Sequence, residues 1–343
     1  MVIRAYIYHK RAEKYSDCQD CFGVNLQNNR IAISDGMTQS VFPQWWARIL
    51  VDHYLESGHI PTNIKPLQEK WQKMLISEIQ KREEESKTNP KRNPWRLRNS
   101  LAEKSGAAAT LCGFSVSNDG WNCECIGDSS LIAVDHDYSL KFYTSQVGEF
   151  GNHPDYLDSF NNGVGTPVIK SVEKNVKMLL MVSDPIAELF QLNETKPEFI
   201  RSRINEILSL TEHTSFIDLV EKWRDELGMH NDDTTLIIIK DPSNNNFTIE
   251  YSDNIDDLCS CEFDSENNSI GTPYSQNSEN IERNKVKPSG EDRQKAIKRF
   301  RKSCRSLLAF CPKKKEENVK DWLLTQLAPT LKRFLNEPPT KLH

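Results

Sequence analysis

Residues 31–40 read Ile-Ala-Ile-Ser-Asp-Gly-Met-Thr-Gln-Ser, and the period of the chain changes inside them. Ile31, Ala32 and Ile33 have the apolar, partly β-branched character of a buried strand. Ser34, Asp35 and Gly36 follow as a tight turn. From there Phe42, Trp45, Trp46, Ile49 and Leu50 recur at helical spacing. A strand thus delivers a carboxylate to a turn, and a helix carries the chain away. That puts an acid on rigid support at a sheet edge, within reach of a metal or a phosphate. An Asp-Gly pair after a strand is by itself only a turn signal, so the rest of the chain must supply its meaning.

The design recurs. An apolar run over 176–182 ends in Ser183-Asp184-Pro185, with a helix expected over 186–192 and Pro185 suited to its first turn. Asn231-Asp232-Asp233-Thr234-Thr235 leads into a β-branched strand over 236–240. Gly127-Asp128-Ser129 lies between the strand runs 121–126 and 131–134. Asp20 precedes a run at 21–26 that pairs with 30–34 through Gln27-Asn28-Asn29. That hairpin would bring Asp20 and Asp35 to one end of a sheet. Five acids therefore stand at strand ends: Asp20, Asp35, Asp128, Asp184 and Asp232. Such carboxylates converge where their strands share a sheet edge. Hard oxygen donors select Mg²⁺ or Mn²⁺ over zinc. Without cations, acids so gathered repel one another and rise in pKa.

The remaining segments give a first strand at 2–8, a polar loop at 9–20, and helices at 40–57 and 64–86. Residues 89–98, with Pro90 and Pro94 among basic residues, read as a surface loop. Short strands follow at 107–115 and 140–143. An irregular stretch at 144–170 is long enough to be a flap over a site. Helices are expected at 196–210 and 214–227.

Hydrophobic residues make up 37% of the 343, a low share for a fully packed chain. The net charge of −5 gives no case for nucleic-acid binding, but it is unevenly placed. Residues 241–290 hold ten acids against three bases, and 291–343 hold fourteen bases against six acids. The nine cysteines include Cys18/Cys21 at Cys-x-x-Cys spacing and two Cys-x-Cys pairs, Cys123/Cys125 and Cys259/Cys261. An odd count in a long chain reads as reduced thiols rather than a disulfide scaffold, and no second pair stands at zinc-finger distance. No signal segment and no run of 18 apolar residues is present, so a soluble cytoplasmic protein is expected.

The pieces resemble, in order and spacing, the metal-dependent type 2C protein phosphatases, in their bacterial form. Those pieces are Gln19-Asp20, Ser34-Asp35-Gly36-Met37, Gly106-Ala107-Ala108-Ala109-Thr110, Gly127-Asp128-Ser129, Ser183-Asp184 and Asp232-Asp233-Thr234-Thr235. The resemblance implies an α+β fold, a four-layer α-β-β-α sandwich of two antiparallel sheets flanked by helices, over residues 1–242. It implies that Asp35 bridges two Mn²⁺ or Mg²⁺ ions, with the Gly36 carbonyl on one of them. Asp184 and Asp232 would hold a metal, Asp20 would contact metal-bound waters, and Asp128 would join Asp184 around a third ion. The implied reaction is hydrolysis of phosphoserine and phosphothreonine in proteins, by in-line attack of a metal-bridging hydroxide. A cognate kinase would be a partner in signalling.

The sequence departs from the family pattern at several points. Gln19 stands for the usual Glu, Thr38-Gln39 for Gly-Gly, and Pro185 for Gly. Position 15, where the family has a phosphate-clamping Arg, is Tyr15, which leaves Arg11 and Lys14 as the nearest substitutes. Beyond the domain, 243–290 reads as an acidic, Asn/Ser-rich linker. Residues 291–343 read as a basic, partly helical tail, with Ile297, Phe300, Cys304, Leu307 and Leu308 on one face of a helix. Such a helix can dock an acidic partner, a membrane surface or the acidic domain itself, or simply keep the tail soluble. A phosphatase-like module with little turnover, working through that tail, is the alternative function.

Overall fold

The computed structural model describes residues 1–118, 120–146, 154–242 and 245–260. The basic tail, residues 243–244 and 261–290 of the acidic linker, and residues 147–153 of the expected flap lie outside the described residues. In chain order the elements begin β1 (Val2–Tyr8), β2 (Cys21–Asn25), β3 (Arg30–Ser34), α1 (Pro43–Ser57), α2 (Lys65–Ser86) and α3 (Trp95–Glu103). Next come β4 (Ala108–Ala109), β5 (Leu111–Val116), β6 (Trp121–Ile126), β7 (Ser130–Val134), β8 (Leu140–Tyr143), β9 (Leu157–Asp158) and β10 (Val168–Ser171). The last are β11 (Met178–Val182), α4 (Asp184–Gln191), α5 (Pro197–Leu208), α6 (His213–Glu226), β12 (Thr234–Lys240) and β13 (Thr248–Ser252).

One sheet runs β13-β1-β12-β11-β7-β8 and the other β10-β6-β5-β3-β2. Every pairing within them is antiparallel except β1 with β13. Strict alternation along the strands sorts the apolar side chains into three layers. Ile3, Ile33, Phe114, Leu131, Leu179 and Ile237 fill the space between the sheets. Leu180, Ile238, Ile186, Ile204 and Trp223 seat α4, α5 and α6 on the outer face of the first sheet. Ala32, Leu111, Trp46, Leu50 and Trp71 seat α1 and α2 on the outer face of the second. The result is the expected α-β-β-α sandwich. β11 is buried along its whole length. Full burial of side chains of its kind contributes about 1.5–3 kcal/mol each, so the acid at its end sits on a strand that resists displacement.

Two expectations change. The basic stretch read as a loop over 89–98 becomes a 3-10 turn at Pro90–Arg92 and then α3. Its prolines mark the start of a helix rather than a loop, since the first turn has no use for the missing N–H. The domain does not end at 242: β13 extends the first sheet along β1, inside the stretch assigned to the linker. Four of its five residues are exposed, so it has no hydrophobic period for a sequence reading to detect.

Candidate active site

The acids stand where strands end, and a set of hydroxyl groups holds the strand ends together. Ser34 closes β3 and donates its hydroxyl to the Thr110 carbonyl at 2.5 Å. The Asp35 N–H donates to Thr110 Oγ1 at 3.1 Å, and the Thr110 N–H donates to the Asp35 carbonyl at 2.9 Å. Thr110 Oγ1 also meets Ser129 Oγ at 2.8 Å. One threonine between β4 and β5 thus fixes both the Asp35 turn and the Asp128 turn. Gly36 passes close to the next element: a Cβ there would stand 2.7 Å from Pro43 Cβ and 3.0 Å from the Gln19 carbonyl. Gly127 has φ +98, and a Cβ would meet Thr110 at 2.5 Å, so both turns require glycine.

On the other sheet, Asp184 is the first residue of α4. Ser183 Oγ accepts the Thr235 N–H at 2.9 Å, and the Thr235 hydroxyl donates to Asp20 Oδ2 at 2.7 Å. The ends of β11, β12 and the segment before β2 are thereby joined. Asp233 backs the arrangement from behind. Its carboxylate accepts the Lys10 N–H at 2.9 Å and the Gln19 N–H at 2.7 Å, which pins both ends of the loop between β1 and β2. Arg224 of α6, 7% exposed, donates to the Asp232 carbonyl at 2.6 Å and holds that turn.

The five sequence-derived acids sense one another. Burial, then Asp20, Asp184, Asp128 and Asp232, hold the Asp35 carboxyl well above the usual range. Burial and the neighbouring charges of Asp128, Asp232 and Asp20 do the same to Asp184. Burial, then Asp233, push Asp20 up to about 8 against the pull of the Thr235 and Ser183 hydroxyls. Burial pushes Asp128 to about 6 against its own and the Ser129 N–H. Asp20 Oδ1 and Asp128 Oδ1 are buried and have no hydrogen-bond partner, a cost that a bound cation removes. Asp35 and Asp184 share a side-chain hydrogen bond, but among the described residues no three of the acids bring ligand atoms within 4.8 Å of one another.

The cations differ from expectation. Arg11 turns to α6, donating to Asp225 at 2.7 Å and pairing with Glu221 at 2.5 Å. Lys14 is exposed and occupies the position before the 3-10 turn Tyr15–Asp17, where its carbonyl accepts the Asp17 N–H. It is Lys10 that reaches the acids, with Nζ 3.5 Å from Asp232 Oδ1 and 3.4 Å from Thr38 Oγ1. Burial pulls its pKa down, but Asp232, Asp233 and Glu13 outweigh that and raise it. Lys10 was missed because it lies in a polar loop with no period; the adjacent pair Asp232-Asp233, one acid more than a turn needs, was the available signal. Tyr15, at the place of the family's arginine, is buried. Its hydroxyl meets His213 Nε2 at 2.6 Å, and His213 Nδ1 meets Asp253 Oδ2 at 2.8 Å. The position rivets β13 and α6 to the loop.

Two face-to-face, almost wholly antiparallel sheets thus gather acids at their strand ends, a donor set suited to hard cations. The sequence profile described as protein phosphatase 2C matches residues 9–223, and the chain belongs to that family. It is a protein serine/threonine phosphatase, in a family whose members depend on metal. No curated protein matches the chain in sequence. Among solved structures, the serine/threonine phosphatase Stp1 from Staphylococcus aureus is 15% identical. The match covers 70% of this chain and 94% of that one, with a TM-score of 0.42. The PPM phosphatase MsPP from Mycobacterium smegmatis, in complex with cacodylate, is 14% identical, covering 69% and 97% with a TM-score of 0.43. The catalytic domain of PstP, in complex with two manganese ions, is 14% identical, covering 69% and 96% with a TM-score of 0.40. No helix among the described residues is long and apolar enough to cross a membrane.

Proposed function

We propose that this phosphatase hydrolyses phosphoserine and phosphothreonine in cytoplasmic proteins with two divalent ions, Mn²⁺ or Mg²⁺, held by Asp35, the Gly36 carbonyl, Asp184 and Asp232. The observation that carries the proposal is the set of coupled acids with two buried, unpartnered oxygens, on Asp20 and Asp128. Oxygen donors of this charge fit hard cations. Asp20 and Asp128 then serve as outer acceptors, and Asp128 with Asp184 offers a place for a third ion. Bound divalent ions supply an activated water and neutralise charge on the phosphoryl oxygens.

The chain's own residues do the rest. Thr110, Ser183 and Thr235 hold the acid-bearing turns, so the carboxylates need not reorganise when substrate arrives. Lys10, already cationic and resting on Asp232 and Thr38, swings onto the phosphoryl group as its clamp, in the place Arg11 and Lys14 were expected to fill. Asp233 positions it through the Lys10 N–H. As a compact point charge, lysine orients phosphate less strictly than a forked guanidinium.

The test uses the full chain with an aryl phosphate and a phosphothreonine peptide, with Mn²⁺, with and without chelator. Turnover that disappears with chelator, and in Asp35→Asn and Asp232→Asn, is the expected result. A wild type that hydrolyses neither substrate with metal present would overturn the proposal.

A further inference from the structure

Besides the acids, β5 and β6 place three thiols together in the layer between the sheets. Cys112 stands opposite Cys125 in the antiparallel register, and Cys123 lies two residues along the same face. The Sγ atoms are 3.4 Å apart for Cys112 and Cys125, 3.2 Å for Cys123 and Cys125, and 3.9 Å for Cys112 and Cys123. All three are at most 1% exposed. They are the one group of three potential ligand atoms within 4.8 Å of one another among the described residues. Around them lie Ile33, Phe114, Trp121, Leu131 and Tyr143, and the polar contact besides the sulfurs themselves is the Tyr143 carbonyl, 3.3 Å from Cys125 Sγ.

We propose that Cys112, Cys123 and Cys125 form a binding site for one soft, thiophilic d¹⁰ cation, with copper(I) as the biological occupant. Thiolate sulfur selects such ions over the hard cations that suit the acids. With metal–sulfur bonds of about 2.3 Å, sulfurs sharing one ion stand about 3.8–4.0 Å apart, so one edge already fits and the other two open by side-chain rotation. Three donors and a dry, apolar surround suit a three-coordinate monovalent ion better than zinc, whose closed sites take four ligands. Two thiols release their protons to solvent on binding, and the third remains a neutral donor. The complex then carries one negative charge. Hydrogen bonds from Cys112 and Cys123 pull the Cys125 thiol down against burial, with help from Lys170, whereas burial holds the Cys112 and Cys123 thiols well above their ordinary range, so the second proton leaves only as the ion binds. The ligands come from one hairpin, β5–β6, so an ion can be captured as that hairpin closes during folding, without a path through the finished core.

The full-length reduced protein is refolded from denaturant without oxygen, with two equivalents of tetrakis(acetonitrile)copper(I), silver(I) or zinc(II). It is then desalted through a chelator, and the retained metal is counted by mass spectrometry. The expected result is about one equivalent of copper or silver, a thiolate-to-copper ultraviolet band, and no retained zinc. A variant with Cys18, Cys21, Cys259, Cys261, Cys304 and Cys311 all changed to Ser keeps the metal. Cys112→Val/Cys123→Ala/Cys125→Ala loses it. Should that variant misfold, the single change Cys123→Ala serves, with retention falling at least tenfold. No copper in the refolded wild type, or wild-type copper in the variants altered at Cys112, Cys123 or Cys125, overturns the proposal. One tightly held zinc would overturn the choice of a three-coordinate monovalent ion.

Discussion

The five carboxylates at the strand ends and the three thiols inside the sandwich are built in opposite ways. Each acid turn is wrapped in hydroxyl groups and N–H donors: Thr110 on the Asp35 turn, Thr235 on Asp20, Arg224 on the Asp232 turn. Asp35, Asp184 and Asp232 keep partial contact with solvent, so a substrate can reach them. The thiols sit inside the β5–β6 ladder, meet chiefly one another, and exclude water. A strand end can present charge because its turn supplies polar partners and an opening. A paired strand inside the sandwich can hold only what its register opposes to it. The first arrangement serves a reaction at the surface, the second a tightly held ion of low charge.

The largest expected break in this comparison comes at Asp35. Asp35→Asn removes the acid that faces the other four, and hydrolysis should fall by about 10³-fold or more, equivalent to about 4 kcal/mol of transition-state stabilisation. Copper retention by the refolded protein should not change. Steady-state kinetics with Mn²⁺, beside a metal count, checks both. Hydrolysis within tenfold of wild type would remove Asp35 from the site's centre.

Lys10→Ala comes next. A charge-assisted hydrogen bond to phosphate is worth roughly 1.5–3 kcal/mol, so kcat/KM should fall by about 10- to 100-fold. Mn²⁺ should bind at least as tightly, because Asp232 loses a competing cation. Titration calorimetry with Mn²⁺ separates this from a general loss of the site. Arg11→Ala, which cuts contacts to Glu221 and Asp225 on α6, should leave kcat/KM within about twofold.

What made the acids legible and Lys10 illegible is the same physics. Asp35, Asp184 and Asp232 each adjoin an apolar strand, and the change of period marks the turn that carries them. Lys10 has no such marker, since the Asp233 carboxylate places it through backbone N–H groups at either end of a loop. β13 escaped for a related reason: its side chains face solvent, and only its backbone bonds to β1 make it a strand. The Cys123/Cys125 pair was visible in the sequence, but Cys112 joins it only through the β5–β6 register, which residue spacing does not reveal.

A smaller effect has an unusual sign. In the metal-free fold Asp20 titrates near about 8 and Asp128 near about 6, with Asp35 and Asp184 also raised. In the unfolded chain these groups titrate near about 4. Between those limits the folded state binds more protons than the unfolded one, so stability is full below about pH 4 and falls as pH rises toward about 8. Paired carboxylates ordinarily give the reverse. In chelator, the melting temperature should drop on the order of 5 °C between pH 5 and pH 8, and Mn²⁺ should flatten the slope. A melting temperature in chelator that rises over this range would mean the acids are not forced together.

The smallest effect belongs to the thiols. Cys125→Ala removes one sulfur from a packed layer without adding a polar atom, so it creates a small cavity and leaves the weak Cys112 and Cys123 donors only each other, 3.9 Å apart. Such truncations cost about 1 kcal/mol, which for a domain of this size lowers the melting temperature by about 2–4 °C. Cys125→Ser should cost more although it is nearer in size, because its hydroxyl must be satisfied where the Tyr143 carbonyl is the available acceptor. Neither change should alter the pH slope in chelator or the Mn²⁺ dependence of hydrolysis beyond about twofold, since additivity holds for sites without shared partners. Differential scanning calorimetry on the two variants, alongside kinetics, reads both quantities. If Cys125→Ala weakened Mn²⁺-dependent hydrolysis as much as Lys10→Ala, the thiols and the acids would have to be one coupled network, and the division between exposed turn and buried ladder would fail.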